Sequence, residues 1–468
     1  MRVSFFHWFY QRFFIRLFRR SFKIHPVLKE TANIFSKNNK QLYLVGGSIR
    51  DSIRMFKAQD WDLATDALPE EVISMFKGQG FVIPTGIKHG TVSLHYNDHV
   101  MEITTFRSES IYSDGRRPDK VEFGVSIEED LSRRDFTMNA LAYKLPEGPL
   151  IDPFMGKKDI KARLIRSVGK AEERFAEDGL RPLRAIRFAS QLGFNLDEKV
   201  LEAIPKARFL CSQVAAERVR DEFDKIIASK QPSIALLLME KTGLMELFLP
   251  ELAHCRGIEQ KGFHQFDVLD HSLLALDYAA EKEAATEVRL AALLHDIGKP
   301  LARSLDESGV WTFYQHERES SRLAREIFNR LRYPKALMEK VCRLIEEHMF
   351  HYEENWKDAA VRRFIIRVGE ENLTHLYELR WADAYGMAKI EPSPASLLPL
   401  IDRVNTILAE KKALSLKDLA ISGKDLINQG IEPGKRMGFI LNELLEAVLD
   451  DPELNTREKL LEIALKLE

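Results

Sequence analysis

Residues 44–67 read LVGGSIRDSIRMFKAQDWDLATDA. A hydrophobic strand runs into two adjacent glycines, a loop with a short helix follows, and Asp-Trp-Asp then opens a second apolar run. On a strand, residues i and i+2 share a face. Asp60 and Asp62 therefore project together, while Trp61 and Leu63 turn towards the core. Two ionised carboxylates a few ångströms apart repel unless a cation lies between them, and hard oxygen ligands suit Mg²⁺. The turn carrying Gly46, Gly47 and Ser48 lets backbone N–H groups approach an anion, and Arg50 adds charge. An anion-binding turn facing a two-carboxylate magnesium site is equipment for nucleotidyl transfer. Asp-rich turns and helix caps give similar strings, so the pair by itself leaves a structural role open.

The chain has 468 residues, more than one hydrophobic core usually supports, which predicts two to four domains. Hydrophobic residues make up 45% and charged residues 30%, the composition of a globular protein with well-solvated helices. The net charge of −2 means that any affinity for nucleic acid resides in local patches. Cys211, Cys255 and Cys342 are far apart and form no CxxC. That excludes a disulfide framework and a thiolate zinc site, and it fits a reducing, cytoplasmic compartment. Residues 1–25 are rich in aromatics and arginine. Arg12 and Arg16 interrupt the apolar run, which argues against a membrane span and leaves open a membrane-surface helix, a transit peptide or a surface extension.

Between about 41 and 153, apolar runs of β type (QLYLVGG, WDLAT, TVSLHY, VMEITTF, VEFGV, NALAYKL) alternate with helical stretches. From about 170 the periodicity is helical. The expected fold is α+β, with a mixed-sheet head over 26–165, a helical neck over 166–255, a body over 256–395 and a helical tail over 396–468.

GG-x-x-R-D followed by DxD resembles the nucleotidyltransferase superfamily that includes DNA polymerase beta. The rest of the chain resembles its class II tRNA nucleotidyltransferase (CCA-adding) and bacterial poly(A) polymerase branch. The motifs are SRRDFTMNALAY (132–143), IDPFMGKKDI (151–160), AEDGLRPLRAIRFASQLGF (176–194), ERVRDEF (217–223) and the tail from ISGKDLINQG (421–430) onward. The resemblance implies tRNA as substrate, CTP and ATP as nucleotide donors, no DNA, and Mg²⁺ on Asp60 and Asp62. It implies nucleotide contacts from Gly47, Arg50 and Arg134, and a triphosphate lined by Arg184 and Arg187. VIPTGIKHGTVSLHY (82–96) looks like the CCA-adding form, and RSESIYSDGRRPDKVEF (107–123) resembles the flexible loop of enzymes that add the terminal A. Addition of C, C and A and addition of A alone both stay open, with polyadenylation as the alternative. Glu102, on a neighbouring strand, is either a third carboxylate or an ordinary exposed residue. The pattern also departs from the family's: DPFMG carries methionine where glycine is common, and Pro182 directly follows Arg181.

Asp178 and Arg181 would place an acceptor and a fork of donors along the Watson–Crick edge of a base. Cytosine and adenine both present an amino donor beside a ring-nitrogen acceptor, and both match. Uracil and guanine put a carbonyl against the carboxylate, a mismatch of roughly 1–3 kcal/mol.

A second constellation lies in the body: His271, His295 with Asp296, His316, His348 and Asp383. An adjacent His-Asp pair ending an apolar helix is costly to bury unless a partner such as a metal satisfies it. The set resembles the HD phosphohydrolase domain, with one or two ions of Mn, Fe, Ni or Mg. In this branch such a domain hydrolyses phosphate esters in some members, so a metal-dependent phosphohydrolase is the rival reading of the chain and a structural relic the third. The basic residues Lys157, Lys158, Lys161, Arg163 and Arg166, and Lys424, Lys435 and Arg436 in the tail, fit either tRNA phosphates or a solvated helix face.

Overall fold

The computed structural model describes residues 24–55, 61–110, 120–260, 265–410 and 415–467. Asp60, the expected N-terminal extension up to residue 23 and the centre of the 107–123 loop lie outside them. The chain forms two compact units: residues 1–229 with 234–248, and residues 230–233 with 249–468.

The first unit is built on a seven-stranded sheet in the order β3-β4-β5-β2-β1-β8-β9. Its strands are β1 (Leu42–Val45), β2 (Trp61–Thr65), β3 (Phe81–Gly86), β4 (Thr91–Tyr96), β5 (His99–Thr105), β8 (Ala142–Lys144) and β9 (Leu150–Ile151). The sheet is mixed because β2 and β5 run parallel and every other neighbouring pair is antiparallel. The run VEFGV does not join it. It supplies β7 (Lys120–Phe123), which pairs with β6 (Arg107–Ser110) as a separate hairpin.

β1 is buried along its whole length, as a near-continuous apolar run requires. Tyr43 and Val45 pack with Ala64, Phe106, Leu131 and Ala142 beneath the sheet. The chain leaves β1 through Gly46, at φ +68°, and turns at once into the helix Gly47–Ile53. A side chain on Gly46 would be strained by that φ. Its Cβ would also lie 3.3 Å from Arg134 Nη1 and 3.6 Å from Asp62 Oδ2. Because β1 and β2 are antiparallel, the exit of one strand adjoins the entry of the other.

The methionine of DPFMG, Met155, takes φ +58°, the left-handed conformation that glycine adopts freely. Asp152 secures the following helix Gly156–Ala162 by accepting from the backbone N–H groups of Gly156 (2.6 Å) and Lys157 (3.0 Å). The helix Arg181–Leu192 begins at Arg181 and holds Pro182 in its first turn, where the missing N–H costs nothing.

The second unit is helical apart from a two-stranded hairpin, Ser304–Leu305 with Trp311–Thr312. The helices Val268–Glu281, Thr286–Leu294, His316–Arg330, Lys335–Glu347 and Leu373–Ala388 carry or abut the six His and Asp residues of the second constellation. Further along, Leu426, Ile440, Leu444, Val448 and Leu460 form a separate buried cluster near the C-terminal end. Among the described residues no helix is long and apolar enough to cross a membrane.

Candidate functional sites

In the first unit, a cavity of about 800 Å³ opens over the C-terminal end of β1 and the entry of β2. Asp62 and Glu102 are register partners on the parallel strands β2 and β5, and both are exposed and line this cavity. Neighbouring strands lie about 4.8 Å apart, so two carboxylates on one face of such a pair form an anionic ledge. Gly46, Gly47 and Arg50 form the wall facing that ledge.

Seven arginines and four carboxylates line the cavity, which gives it a net positive wall suited to a polyanion. Most of these arginines are held by carboxylates rather than left to swing. Arg50 forks onto Asp51 (2.9 and 3.0 Å) and donates to Asn139 Oδ1 (2.9 Å). Arg133 and Arg134 both reach Asp130, at 2.8 and 3.3 Å. Asp130 is buried, which raises its carboxyl, but the two guanidiniums outweigh burial and hold it below its usual range. Arg184 binds Asp135 Oδ2 through Nε and Nη2 at 2.9 and 2.7 Å. Burial likewise raises the Asp135 carboxyl, and Arg184 more than offsets it.

Asp178 and Arg181 both line the cavity, but they stand on different elements; the Arg181 N–H donates to the Asp178 carbonyl at 3.0 Å, and their side chains bind other partners. Asp178 caps the end of the helix Ala171–Glu177, while Arg181 opens the helix Arg181–Leu192. Asp178 Oδ1 accepts from Leu180 N–H at 3.0 Å, and the carboxylate takes a fork from Arg218 at 3.2 and 2.7 Å. Arg181 is held by the carboxylate of Glu177, the Arg174 carbonyl (2.9 Å) and the Arg133 carbonyl (3.0 Å). The backbone between the two residues has no room for a side chain. A Cβ on Gly179 would sit 2.4 Å from the Leu210 carbonyl oxygen.

Arg187, expected at the triphosphate, is not on the cavity wall. It is buried, with Nε 2.5 Å from Glu222 and Nη1 2.6 Å from Gln191, and its guanidinium lies 3.7 Å above the Phe188 ring. Burial lowers it to about 10, and Glu222 only partly offsets this. Three residues to the N-terminal side, Arg184 reaches the cavity while Arg187 points into the helix Ala216–Ile227, which carries Glu222. The reading from sequence also missed Asp135, Arg218, Glu177 and Arg107, whose guanidinium donates to the His89 carbonyl. Two of them carry a sequence signal: Asp135 follows Arg134 directly, and Glu177 precedes Arg181 by four residues.

In the second unit the six expected residues converge, and all are buried. Asp296 is their centre. Its Oδ2 lies 3.2 Å from His271 Nε2 and 3.3 Å from His295 Nε2, and its Oδ1 lies 3.1 Å from His316 Nε2 and 3.9 Å from His348 Nε2. Asp383 Oδ1 stands 3.3 Å from His271 and 3.5 Å from His295. The Nδ1 atoms of His295, His316 and His348 donate to the carbonyls of Ala292 (2.9 Å), Phe313 (2.8 Å) and Ile345 (2.7 Å). That turns each Nε2 inward, where it could serve as a metal ligand. Two ligand groups result, His271/His295/Asp296 and Asp296/His316/His348. Burial pulls His295 down, but Asp296 and Asp383 outweigh it and raise the imidazole to about 10. Burial, then His295, pushes His348 to about 3. A cation bound by these residues would take the place of the proton that the carboxylates favour on His295.

Residues 42–166 match the family described as "Poly A polymerase head domain", residues 193–255 match "Probable RNA and SrmB- binding site of polymerase A", and residues 268–388 match "HD domain". A CCA-adding enzyme of Lactobacillus delbrueckii subsp. bulgaricus is 35% identical over 424 residues, which cover 90% of this chain and 93% of the relative. One from Enterococcus faecalis is 32% identical over 445 residues, covering 94% and 96%. Among solved structures, the Bacillus stearothermophilus CCA-adding enzyme in complex with CTP superposes with a TM-score of 0.71 at 28% identity, covering 95% of this chain and 98% of that one.

The Asp135–Arg184 pair yields a pH-dependent prediction. Asp135 is depressed in the fold, so its contribution to stability is complete above its unfolded value near 4 and is lost as pH falls through the folded value. Asp135→Asn is expected to cost roughly 1.5–3 kcal/mol at pH 7. In urea unfolding followed from pH 7 to pH 3, the gap to wild type should narrow as pH falls; a gap independent of pH would contradict this.

Proposed function

The chain belongs to the family of CCA-adding enzymes, and from that premise we propose that it is a template-independent tRNA nucleotidyltransferase that completes the tRNA 3′ end with C, C and A from CTP and ATP. The observation that carries this reading is the cavity itself, where an Asp62–Glu102 ledge faces a glycine turn among arginines, with Asp178 and Arg181 on the same wall. The tRNA 3′-hydroxyl attacks the α-phosphate of the bound nucleotide, and pyrophosphate leaves. Asp60 and Asp62 would hold Mg²⁺, with Glu102 as a third carboxylate; hard oxygen donors such as these fit that ion. Bound Mg²⁺ eases deprotonation of the hydroxyl and neutralises charge on the phosphoryl group.

Gly47 presents its backbone N–H to the triphosphate, with Arg50 and Arg184 beside it, while the Gly46 N–H is taken by the Leu141 carbonyl at 3.3 Å. Arg134 contacts the sugar or a phosphate. Asp178 accepts from the amino group of cytosine or adenine, and Arg181 donates to the ring nitrogen. Arg187 does not touch the nucleotide in this reading; it braces the helix that carries Arg184. We assign 26–165 as the catalytic head, 166–255 as the neck, 256–395 as the HD body and 396–468 as a tRNA-binding tail. Basic residues of the 157–166 run, together with Lys424, Lys435 and Arg436, meet tRNA phosphates, and we place the activity in the cytoplasm. Polyadenylation is disfavoured by the relatives' names and by the 82–96 segment.

The buried cluster favours a second activity in the same chain, metal-dependent hydrolysis of phosphate esters. Three carbonyl-anchored imidazoles and a carboxylate shared between two ligand groups fit two divalent ions of the Mn, Fe, Ni or Mg type. His271, His295, Asp296 and Asp383 on one side, and Asp296, His316 and His348 on the other, are the residues that would hold such ions.

On a tRNA ending in CC with ATP and Mg²⁺, wild type should add a single A. Asp62→Ala should lower that rate by at least 10³-fold with an unchanged circular dichroism spectrum; near-wild-type addition would defeat the assignment. For the second site, protein loaded with Mn²⁺ and desalted should retain metal that His295→Ala loses, as read by elemental analysis, while A addition is kept. Equal metal content in the two proteins would contradict the assignment.

A further inference from the structure

Arg218 lies outside the pair expected to read the base, yet it holds the acceptor half of that pair. A carboxylate offers about four lone-pair positions. In Asp178, Oδ1 takes the Leu180 N–H at 3.0 Å and Arg218 Nη1 at 3.2 Å, and Oδ2 takes Arg218 Nη2 at 2.7 Å. One position is left, on Oδ2, and Asp178 lines the cavity. From this geometry we propose that Arg218 is a specificity-positioning residue, which fixes Asp178 so that it presents a single acceptor to the incoming base. The inference deepens the nucleotidyltransferase reading and rests on it.

The amino group of cytosine or adenine satisfies that one acceptor. The carbonyl of uracil or guanine meets a lone pair with no donor between them. Without the fork the carboxylate turns about its side-chain bonds and admits a water that bridges it to a carbonyl, so the wrong base is tolerated. A guanidinium suits this task because its planar fork fixes both oxygens, which the single ammonium of lysine cannot do.

Arg218 is itself rigidly placed. It sits in the first turn of the helix Ala216–Ile227. Glu222, one turn later on the same face, binds Arg187 at 2.5 Å and approaches Arg184 at 3.7 Å. The backbone beneath Asp178 is seated separately, by the close approach of Gly179 to Leu210. Loss of Arg218 therefore leaves the Asp178 side chain held by the Leu180 N–H alone, with Oδ2 unrestrained, and leaves its backbone anchored.

The test measures kcat/KM for CTP and UTP on a tRNA lacking its 3′ terminus, and for ATP and GTP on a tRNA ending in CC. Wild type, Arg218→Ala and Arg218→Lys are compared, with melting temperature as the control for folding. In Arg218→Ala the C-over-U and A-over-G ratios should each fall at least tenfold. Arg218→Lys should fall between Ala and wild type; should the Ala variant fail to fold, the Lys variant decides. A uniform drop for all four nucleotides with the ratios intact would overturn the proposal and leave the transferase reading standing. A wild type that adds neither C nor A would defeat that reading and this inference with it.

Discussion

The parallel pairing of β2 with β5 places two carboxylates, Asp62 and Glu102, side by side on one exposed face. That arrangement is unfavourable unless positive charge meets it, and the surrounding structure supplies the means. The antiparallel turn-over from β1 brings Gly46 against Asp62 and Arg134, where a Cβ would crowd both. Absence of a side chain lets backbone N–H groups, a guanidinium and the acidic ledge share one small space. A nucleoside triphosphate with its divalent ions has the complementary charge distribution.

Around that centre the arginines are pre-set by carboxylates outside the ledge. Asp130 holds Arg133 and Arg134, Asp135 holds Arg184, Glu177 holds Arg181 and Asp178 takes Arg218. Long cationic side chains lose considerable freedom when they bind a ligand. Here much of that ordering exists before a ligand arrives, at the cost of charge partly spent on internal partners. The walls are still richer in arginine than in acid, so a polyanion remains the natural occupant.

How much of this could be read from the sequence depends on whether the information is local. A strand's period of two was enough to place Asp62 on an exposed face, and two glycines after an apolar run were enough to place the turn. Pro182, a departure from the family's pattern, is accommodated because the helix starts at Arg181 and a first turn tolerates proline. What tertiary packing decides was not legible. Arg187 lies three residues beyond Arg184 on the same helix, but only the helix bearing Glu222 determines that it turns away from the cavity. Glu102 acquires meaning from a parallel register that its own strand does not encode. The histidines and aspartates of the second unit's cluster are spread from 271 to 383, so spacing alone could not group them; family resemblance did, and the carbonyl-bound Nδ1 atoms of three histidines show why their Nε2 atoms converge.

In the proposed function, protein side chains choose the bases without a template. That choice is tested most directly by giving wild-type protein a tRNA lacking its 3′ terminus together with all four nucleoside triphosphates at equal concentration, and sequencing the finished 3′ ends. The expected ends are C, C and A in that order, followed by a stop. Ends carrying U or G, or extended as a run of A, would contradict the proposal.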